Sequence, residues 1–308
     1  MAACNACGGT PFYTRRYSGE VLCRGCFKNS IVEKARRTIS KYKMIRRGEK
    51  VGVAVSGGKD SLSLLHVLGR LSSKNAWKLV ALSVDEGVRG YRDEALAHAK
   101  SAADQLGVEH VVLSYKELFG FSLDQALAWE GRDTSSCSFC GVFRRRAIDE
   151  AAARVGVAVV ATAHNLDDYV QTFLMNLLHG AVERIGWLDP SYSDSNFPVR
   201  RVKPFMEIYE EEVALFAYCT EIPFQTVSCP YMHEGLRSDV RDYLNEMEVK
   251  HPGVKNVLFR SGLDVISNYN APEARKSVPC SKCGKPSSSG LCSVCRLREE
   301  VEEHTQKL

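Results

Sequence analysis

Apolar residues recur along this chain in two alternating rhythms. From residue 51, short runs of aliphatic and β-branched residues (VGVAV, KLVALSV, HVVLSY, VAVVATAH) alternate with longer stretches whose apolar positions return every three or four residues. The short runs predict strands buried on both faces. The longer stretches, SLSLLHVLGRL, EALAHAKSAADQLG, residues 141–155 and LDDYVQTFLMNLLHG, predict helices, the last ending at Gly180. Strand and helix in strict alternation predict a parallel sheet covered on both faces, the doubly wound α/β class. Ahead of the first strand, Ile31, Val32, Ala35, Ile39, Tyr42 and Ile45 stand near helical spacing among basic residues, which predicts a basic amphipathic helix over 28–47. Beyond Gly180 the rhythm loosens into a proline-bearing stretch, RRVKPFMEI, and a helix near 209–221.

Composition narrows the class. A chain of 308 residues with 44% hydrophobic content can bury a full core. It carries no apolar run of about 18 residues or more, and cysteines stand where a signal peptide would be apolar. A cytoplasmic protein without membrane contact is expected. The net charge of +4, from 41 basic and 37 acidic residues, is too small an excess to argue for nucleic acid. Local clusters have to carry that case: Arg36, Arg37, Lys41, Lys43, Arg46 and Arg47 on the first helix, and Arg200, Arg201 and Lys203 later.

Of 12 cysteines, eight form four C-x-x-C pairs, a spacing that suits metal chelation in a reducing compartment. Cys4 and Cys7 precede Cys23 and Cys26 by a zinc-ribbon interval, and Cys280 and Cys283 precede Cys292 and Cys295 around the turn KPSSSG. Two structural Zn²⁺ sites are expected, because four sulfur ligands leave no open coordination position. The implied organisation is an N-terminal knuckle over 1–28, a catalytic domain over 29–270 with the basic helix leading it, and a C-terminal knuckle and tail over 271–308.

Ser56-Gly57-Gly58-Lys59-Asp60-Ser61 lies between a strand and a helix, where backbone N–H groups and the helix dipole attract an anion. Its spacing is not the Walker pattern. The SGGKDS motif resembles that of the PP-loop ATP pyrophosphatases, which split ATP between the α and β phosphates and adenylylate a substrate oxygen. Ser83-Val84-Asp85 matches the strand end where that family holds adenine, and Ala163-His164-Asn165-Leu166-Asp167-Asp168 resembles its GH-x-x-D-D segment, with Ala163 in place of glycine. The resemblance implies nucleotide contacts from Ala54, Val55, the Ser56–Ser61 loop, Val84 and Ala163. Two acidic residues open the helix after Asn165, where carboxylates are favoured as caps. Asp168 is taken as the one that holds Mg²⁺. His164 reads either as a catalytic group or as a histidine satisfied at a strand end.

Of the four others, three stand out: Cys137 and Cys140 in SSCSFCGVFRRR, and Cys229 in VSCPY. A lone C-x-x-C reads as a redox pair or half of a metal site, and Cys229 adds a third thiolate, the number that holds an iron–sulfur cluster with one iron left open. Cys219 reads as a small buried residue. The knuckles, SGGKDS, CSFCG, HNLDD and SCPY together resemble the TtuA-type tRNA 2-thiouridine synthetases, a family that includes the wobble-uridine thiolases of archaea and the eukaryotic cytoplasm. That resemblance implies a [4Fe-4S] cluster on Cys137, Cys140 and Cys229 whose open iron carries sulfur, and a homodimer that acts on tRNA. Where the family has a lysine after the second cysteine, this chain has Arg144-Arg145-Arg146.

The reaction so implied is attack of a uridine C2 oxygen on the ATP α-phosphate, then displacement of AMP by sulfur. The sulfur comes from a ubiquitin-like thiocarboxylate protein or from free sulfide. Lys59 positions phosphates, and a cavity near the cluster keeps water away. Two rivals remain: the same chemistry with a Cys140/Cys229 persulfide and no cluster, and a zinc-ribbon RNA-binding protein without catalysis.

Overall fold

A computed structural model describes residues 3–128, 134–191, 199–232, 235–268, 278–287 and 289–305. The expected domain boundary at 270/271 lies outside them. The chain opens with a hairpin, β1 (Tyr13–Arg15) and β2 (Glu20–Leu22), and the helix α1 (Arg24–Lys41). Then come β3 (Lys50–Ala54), α2 (Lys59–Asn75), β4 (Lys78–Asp85), α3 (Arg92–Gln105) and β5 (Glu109–Ser114). Two one-turn helices, α4 (Tyr115–Phe119) and α5 (Leu123–Leu127), lead to α6 (Ser136–Arg154), β6 (Val159–Ala161) and α7 (Leu166–Leu178). A 3₁₀ segment over Val182–Leu188, β7 (Arg200–Val202), and helices α8 (Glu210–Thr220), α9 (Leu236–Lys250) and α10 (Val254–Asn268) follow. A second hairpin, β8 (Val278–Pro279) and β9 (Pro286–Ser287), and α11 (Ser293–Thr305) end the described chain.

The central sheet has the order β5-β4-β3-β6-β7, parallel throughout. Its strand sequence therefore reverses direction between β3 and β6. In open α/β sheets, such a switch point leaves a crevice beyond the carboxyl ends of the strands, and ligands bind there. The pleat sends Val51 and Val53 to one core with Leu62, Leu65 and Phe216, and Val80, Leu82 and Val160 to another with Phe139 and Phe143. This is the expected doubly wound class, with a cysteine group at each end.

The first helix differs from its expectation. It begins at Arg24, so the 28/29 boundary falls inside it, and it buries Phe27, Ile31, Ala35, Thr38 and Ile39 as one stripe. It stops at Lys41, because Lys43 adopts φ +49° and the chain turns toward β3. Met44 and Ile45 bury themselves in that turn, and the Trp77 Nε1–H donates to the Arg46 carbonyl. Apolar positions after Tyr42 thus keep helical spacing without a helix. The basic cluster is divided in the same way: Arg36 and Arg37 pair with Glu33, Lys41 pairs with Glu207, and Arg46 and Arg47 lie beyond the helix. Arg200 and Arg201 face Glu49 and Asp149. Paired charges of this kind are solvated faces rather than a phosphate stripe.

Helices α9 and α10 escaped the sequence reading, and α6, which it expected, starts early. Helix α6 starts at Ser136, five residues before the expected 141, because Ser135 caps it by accepting from the Ser138 N–H. Helices α9 and α10 bury only Val240, Leu244, Lys255, Phe259 and Gly262, so their apolar rhythm is thin.

The N-terminal hairpin is bound to the catalytic sheet by a buried carboxylate. Glu212 on α8 is 0% exposed, accepts from Arg15 Nε at 2.5 Å and pairs with Lys34 Nζ at 2.9 Å. Burial alone would raise its pKa, but Lys34 and Arg15 overcome that and hold it below the usual value. Because the folded pKa is depressed, the stability it contributes is present above the ordinary glutamate range and is lost as pH falls through the depressed value. Removing it strands two cations in the interior. Glu212→Ala is expected to cost about 3–5 kcal/mol in denaturant unfolding at neutral pH. The gap between the variant and the parent should close below about pH 4.

Candidate active site

The phosphate loop leaves β3 at Ala54 and enters α2 at Lys59, at the carboxyl edge beside the switch point. Gly57 has φ +88°, and a Cβ there would stand 2.2 Å from the Ala95 carbonyl oxygen on α3, so only glycine fits. Gly58 is the N-cap of α2 and offers no side-chain cap, which leaves the first-turn N–H groups pointing outward. Ser61 folds back, accepting from the Ser56 N–H at 3.1 Å and donating to the Gly58 carbonyl at 3.0 Å. Val55 donates its N–H to the Leu82 carbonyl, which fixes the loop to β4.

Two supports of the loop were not visible in sequence. Arg92, buried at the start of α3, donates to the Ser56 carbonyl at 2.6 Å and to the Val84 carbonyl at 2.7 Å, and pairs with Glu86 at 2.8 Å. Gln225, far along the chain, donates its N–H to the Gly57 carbonyl at 3.1 Å. Neither residue belongs to a motif, so no spacing signal could have found them.

Lys59 Nζ lies 2.9 Å from Asp60 and 2.9 Å from Glu210. Burial would lower its pKa, but these carboxylates more than offset that, so it stays a cation. Asp60 Oδ1 is buried with no hydrogen-bond partner among the described residues. Burial first, then Glu210 and Asp168, push the Asp60 carboxyl above its usual pKa despite Lys59. Two carboxylates thus hold Lys59, and the orphaned Asp60 oxygen, with Asp168 near enough to act on it, is the hard oxygen chemistry that Mg²⁺ favours.

Asp167 and Asp168 divide their roles. Asp168 completes a capping box on α7: it accepts from the Asn165 N–H at 3.1 Å while Asn165 accepts from the Asp168 N–H at 3.0 Å. One bond to a neutral donor leaves the Asp168 carboxylate able to face a cation. Asp167 is buried, pairs with Lys255 and accepts from the Glu210 N–H at 2.7 Å, which locks α7, α8 and α10 together. Ala163 and His164 join β6 to this cap, and Val84 sits at the carboxyl end of β4.

Cys137, Cys140 and Cys229 lie near one another. Cys137 and Cys140 occupy the first turns of α6, and Cys229 approaches both closely enough to feel their charge. Burial raises the Cys229 thiol. Cys140 is buried; the Tyr115 hydroxyl lies 3.4 Å from its sulfur and Arg144 donates to it at 3.3 Å. Cys137 is exposed. Cys219, by contrast, is simply buried.

Both knuckles are assembled as single-ion sites. The sulfurs of Cys4, Cys7, Cys23 and Cys26 all lie within 4.8 Å of one another, as do those of Cys280, Cys283, Cys292 and Cys295. The Cys7–Cys23 and Cys283–Cys292 separations are 3.6 Å and 3.7 Å. A disulfide would need about 2.05 Å, whereas four thiolates at about 2.3 Å from one Zn²⁺ span about 3.8 Å. Backbone hydrogen bonding, led by Cys23 for Cys4 and by Cys292 for Cys280, brings each of these thiols down to about 6. Among the described residues, Cys137, Cys140 and Cys229 do not form such a tight group. A cavity of about 370 Å³ adjoins Lys59, lined by Tyr13, Tyr17, Tyr209 and Glu248. None of the three cysteines lines it, so it is not the chamber expected beside them.

A phosphate-binding loop at the switch point of a parallel sheet, facing an acidic cluster, marks the class of α/β enzymes that work on nucleoside triphosphates. The PP-loop domain family matches residues 29–247. The chain is 35% identical to "Cytoplasmic tRNA 2-thiolation protein 1" of Chlamydomonas reinhardtii, over 94% of this chain and 82% of that one. It is 36% identical to the protein of the same name from Drosophila ananassae, over 98% and 88%. Among solved structures, the "U34-tRNA thiolase NcsA from Methanococcus maripaludis with its [4Fe-4S] cluster" superposes with a TM-score of 0.85 at 30% identity, over 97% of this chain and 96% of that one. This chain belongs to the PP-loop family of tRNA 2-thiolation proteins, as the resemblance in its motifs implied. Those curated relatives are cytoplasmic by name, and among the described residues no helix is long and apolar enough to cross a membrane.

The loop geometry makes one substitution decisive. Gly57→Ala sets a methyl against the Ala95 carbonyl and strains a positive φ, so ATP affinity measured by calorimetry should fall at least tenfold. Metal content should be unchanged, since both knuckles lie elsewhere.

Proposed function

We propose that this protein is a cytoplasmic tRNA sulfurtransferase that converts uridine 34 to 2-thiouridine, with release of AMP and pyrophosphate. What most supports the reading is that the phosphate loop and the three-cysteine group are linked by the polar contacts of Arg92, Glu86 and Arg144. A noncatalytic RNA-binding protein would need neither. The relatives' names supply the target nucleoside and its position.

In this reading ATP lies with its triphosphate over the first turn of α2. The Ser56–Ser61 loop binds phosphate oxygens through the free N–H groups at the start of α2 and the Ser56 hydroxyl, and the adenine rests against the strand end at Val84. Lys59 exchanges its carboxylate partners for phosphate oxygens and orients the leaving pyrophosphate. Asp60 and Asp168 would hold Mg²⁺. Cys137, Cys140 and Cys229 would hold a [4Fe-4S] cluster, which when bound supplies a Lewis-acidic iron for sulfur delivery. Arg144 remains charged throughout, so it balances negative charge at Cys140 and cannot act as a base. Zn²⁺ fits both knuckles. The sulfur donor is a ubiquitin-like thiocarboxylate protein or free sulfide, and the assembly is a homodimer.

The deciding experiment supplies ATP, sulfide and unmodified tRNA to anaerobically reconstituted protein and reads nucleosides by mass spectrometry. The expected product is 2-thiouridine at position 34, with one AMP formed per thiolation; AMP formation without thiolated tRNA would overturn the reading. Lys59→Ala should abolish AMP formation with metal content intact. Cys137→Ala should abolish iron binding and thiolation while ATP still binds.

Asp168→Asn separates two roles of one residue. Asparagine can still accept the Asn165 N–H, so thermal stability should stay within about 0.5 kcal/mol of the parent. Loss of the charge should raise the Mg²⁺ concentration needed for AMP formation at least tenfold. Unchanged Mg²⁺ dependence would confine Asp168 to its cap.

A further inference from the structure

Adenylylation of uridine raises a proton-transfer requirement that the cysteines and the phosphate loop do not meet. The N3 atom of uridine carries a proton beside C2. When O2 bonds to phosphorus, the ring stays neutral only if that proton departs; otherwise a cationic adenylate forms. A base is needed within reach of N3.

His164 follows β6 at the switch point, between the Asp168 cap and the end of β7. Its Nδ1 lies 2.9 Å from Thr162 Oγ1, and the Thr162 hydroxyl donates to the Val202 carbonyl at 3.4 Å. When the Thr162 proton is directed at Val202, the Thr162 oxygen accepts from His164 Nδ1–H, and in that tautomer Nε2 carries a lone pair. Among the described residues no group hydrogen-bonds Nε2, and the residue is solvent-exposed.

The charges that face the ring come from four elements: Asp168 on α7, Lys203 just after β7, Arg237 on α9 and Arg144 on α6. The protein crowding the ring, which keeps some contact with solvent, is the largest influence and disfavours imidazolium. Asp168 opposes it, and the three cations reinforce it, so the pKa sits below the ordinary histidine value. The imidazole is then neutral at neutral pH. Lys203, itself lowered by burial, makes no salt bridge among the described residues, so its charge is directed into the same space.

We propose that His164 is the catalytic base of the adenylylation step, and this rests on the reading of the chain as a uridine 2-thiolating enzyme. Nε2 takes the N3 proton as O2 forms its bond to the α-phosphorus and the bond from that phosphorus to the β-bridging oxygen breaks, releasing pyrophosphate. When hydrosulfide adds to C2 and the C2–O bond breaks to release AMP, the imidazolium returns its proton to N3. The hydrosulfide proton passes to solvent. His164 thus ends each turnover in its starting state.

The test is single-turnover pyrophosphate release from ATP by His164→Gln, with iron, zinc, ATP binding and tRNA binding measured on the same preparation. The expected loss is about 10²-fold in rate with binding unchanged. The parent rate should rise with pH through a midpoint below the ordinary imidazole value and then level off, and the variant should lack that limb. A tRNA carrying 5-fluorouridine at position 34, whose N3 proton is more acidic, should shrink the variant's deficit several-fold, a response that a structural role would not produce. A variant with the parent's rate and pH profile, or a deficit equal on both tRNAs, overturns the assignment. If the parent itself releases no pyrophosphate with tRNA, the functional reading fails first and the base falls with it.

Discussion

A buried arginine joins the two halves of this protein. Arg92 satisfies its guanidinium on the carbonyls of Ser56 and Val84 and on Glu86, so the phosphate loop, the end of β4 and the start of α3 hold one another in place. Glu86 carries the connection onward to Arg144 at 3.5 Å, and Arg144 donates to Cys140. An unpaired guanidinium in this position would be costly, and so would an unpaired Glu86. The nucleotide side and the cysteine side of the crevice are therefore positioned by one charge-paired chain, and neither can shift without leaving a buried charge unmatched.

The knuckles act on the same site from outside. Cys23 caps α1, the Arg15 and Lys34 pairs with Glu212 fasten that end to α8, and the first residue of α8 is the Glu210 that holds Lys59. At the other end, Arg146 directs its guanidinium at Cys283 and Cys292 at 3.8 Å and 3.9 Å, and Lys285 pairs with Glu150. Both contacts are on α6, the helix that begins with Cys137 and Cys140. Metal binding in units this small supplies folding energy, and these contacts tie each cysteine group to a helix of the site.

The misread first helix shows where pattern and structure separate. Apolar residues after Tyr42 keep a helical interval, yet Met44 and Ile45 reach the core from a turn because Lys43 takes a left-handed conformation. Periodicity reports which residues are buried and says less about the backbone that buries them. The six basic residues nearby looked like one surface for the same reason. Glu33 and Glu207, which neutralise three of them, were visible in the sequence, but their partnership was not.

By itself the sequence determined the doubly wound class, the phosphate loop, both knuckle groups and Cys137, Cys140 and Cys229, because each is written in local spacing and local chemistry. Motif spacing also singled out Asp168 and Val84 as candidates. Only the tertiary structure decided that β3 and β6 are neighbours, and that Arg92, Glu210, Gln225 and Tyr115 converge on motifs far from them in the chain. It also gave Asp168 its cap, Asp167 its lysine and His164 its threonine partner. Those assignments depend on which polar groups face one another once the chain has closed, and hydrogen bonds between distant residues leave no periodic trace in the sequence.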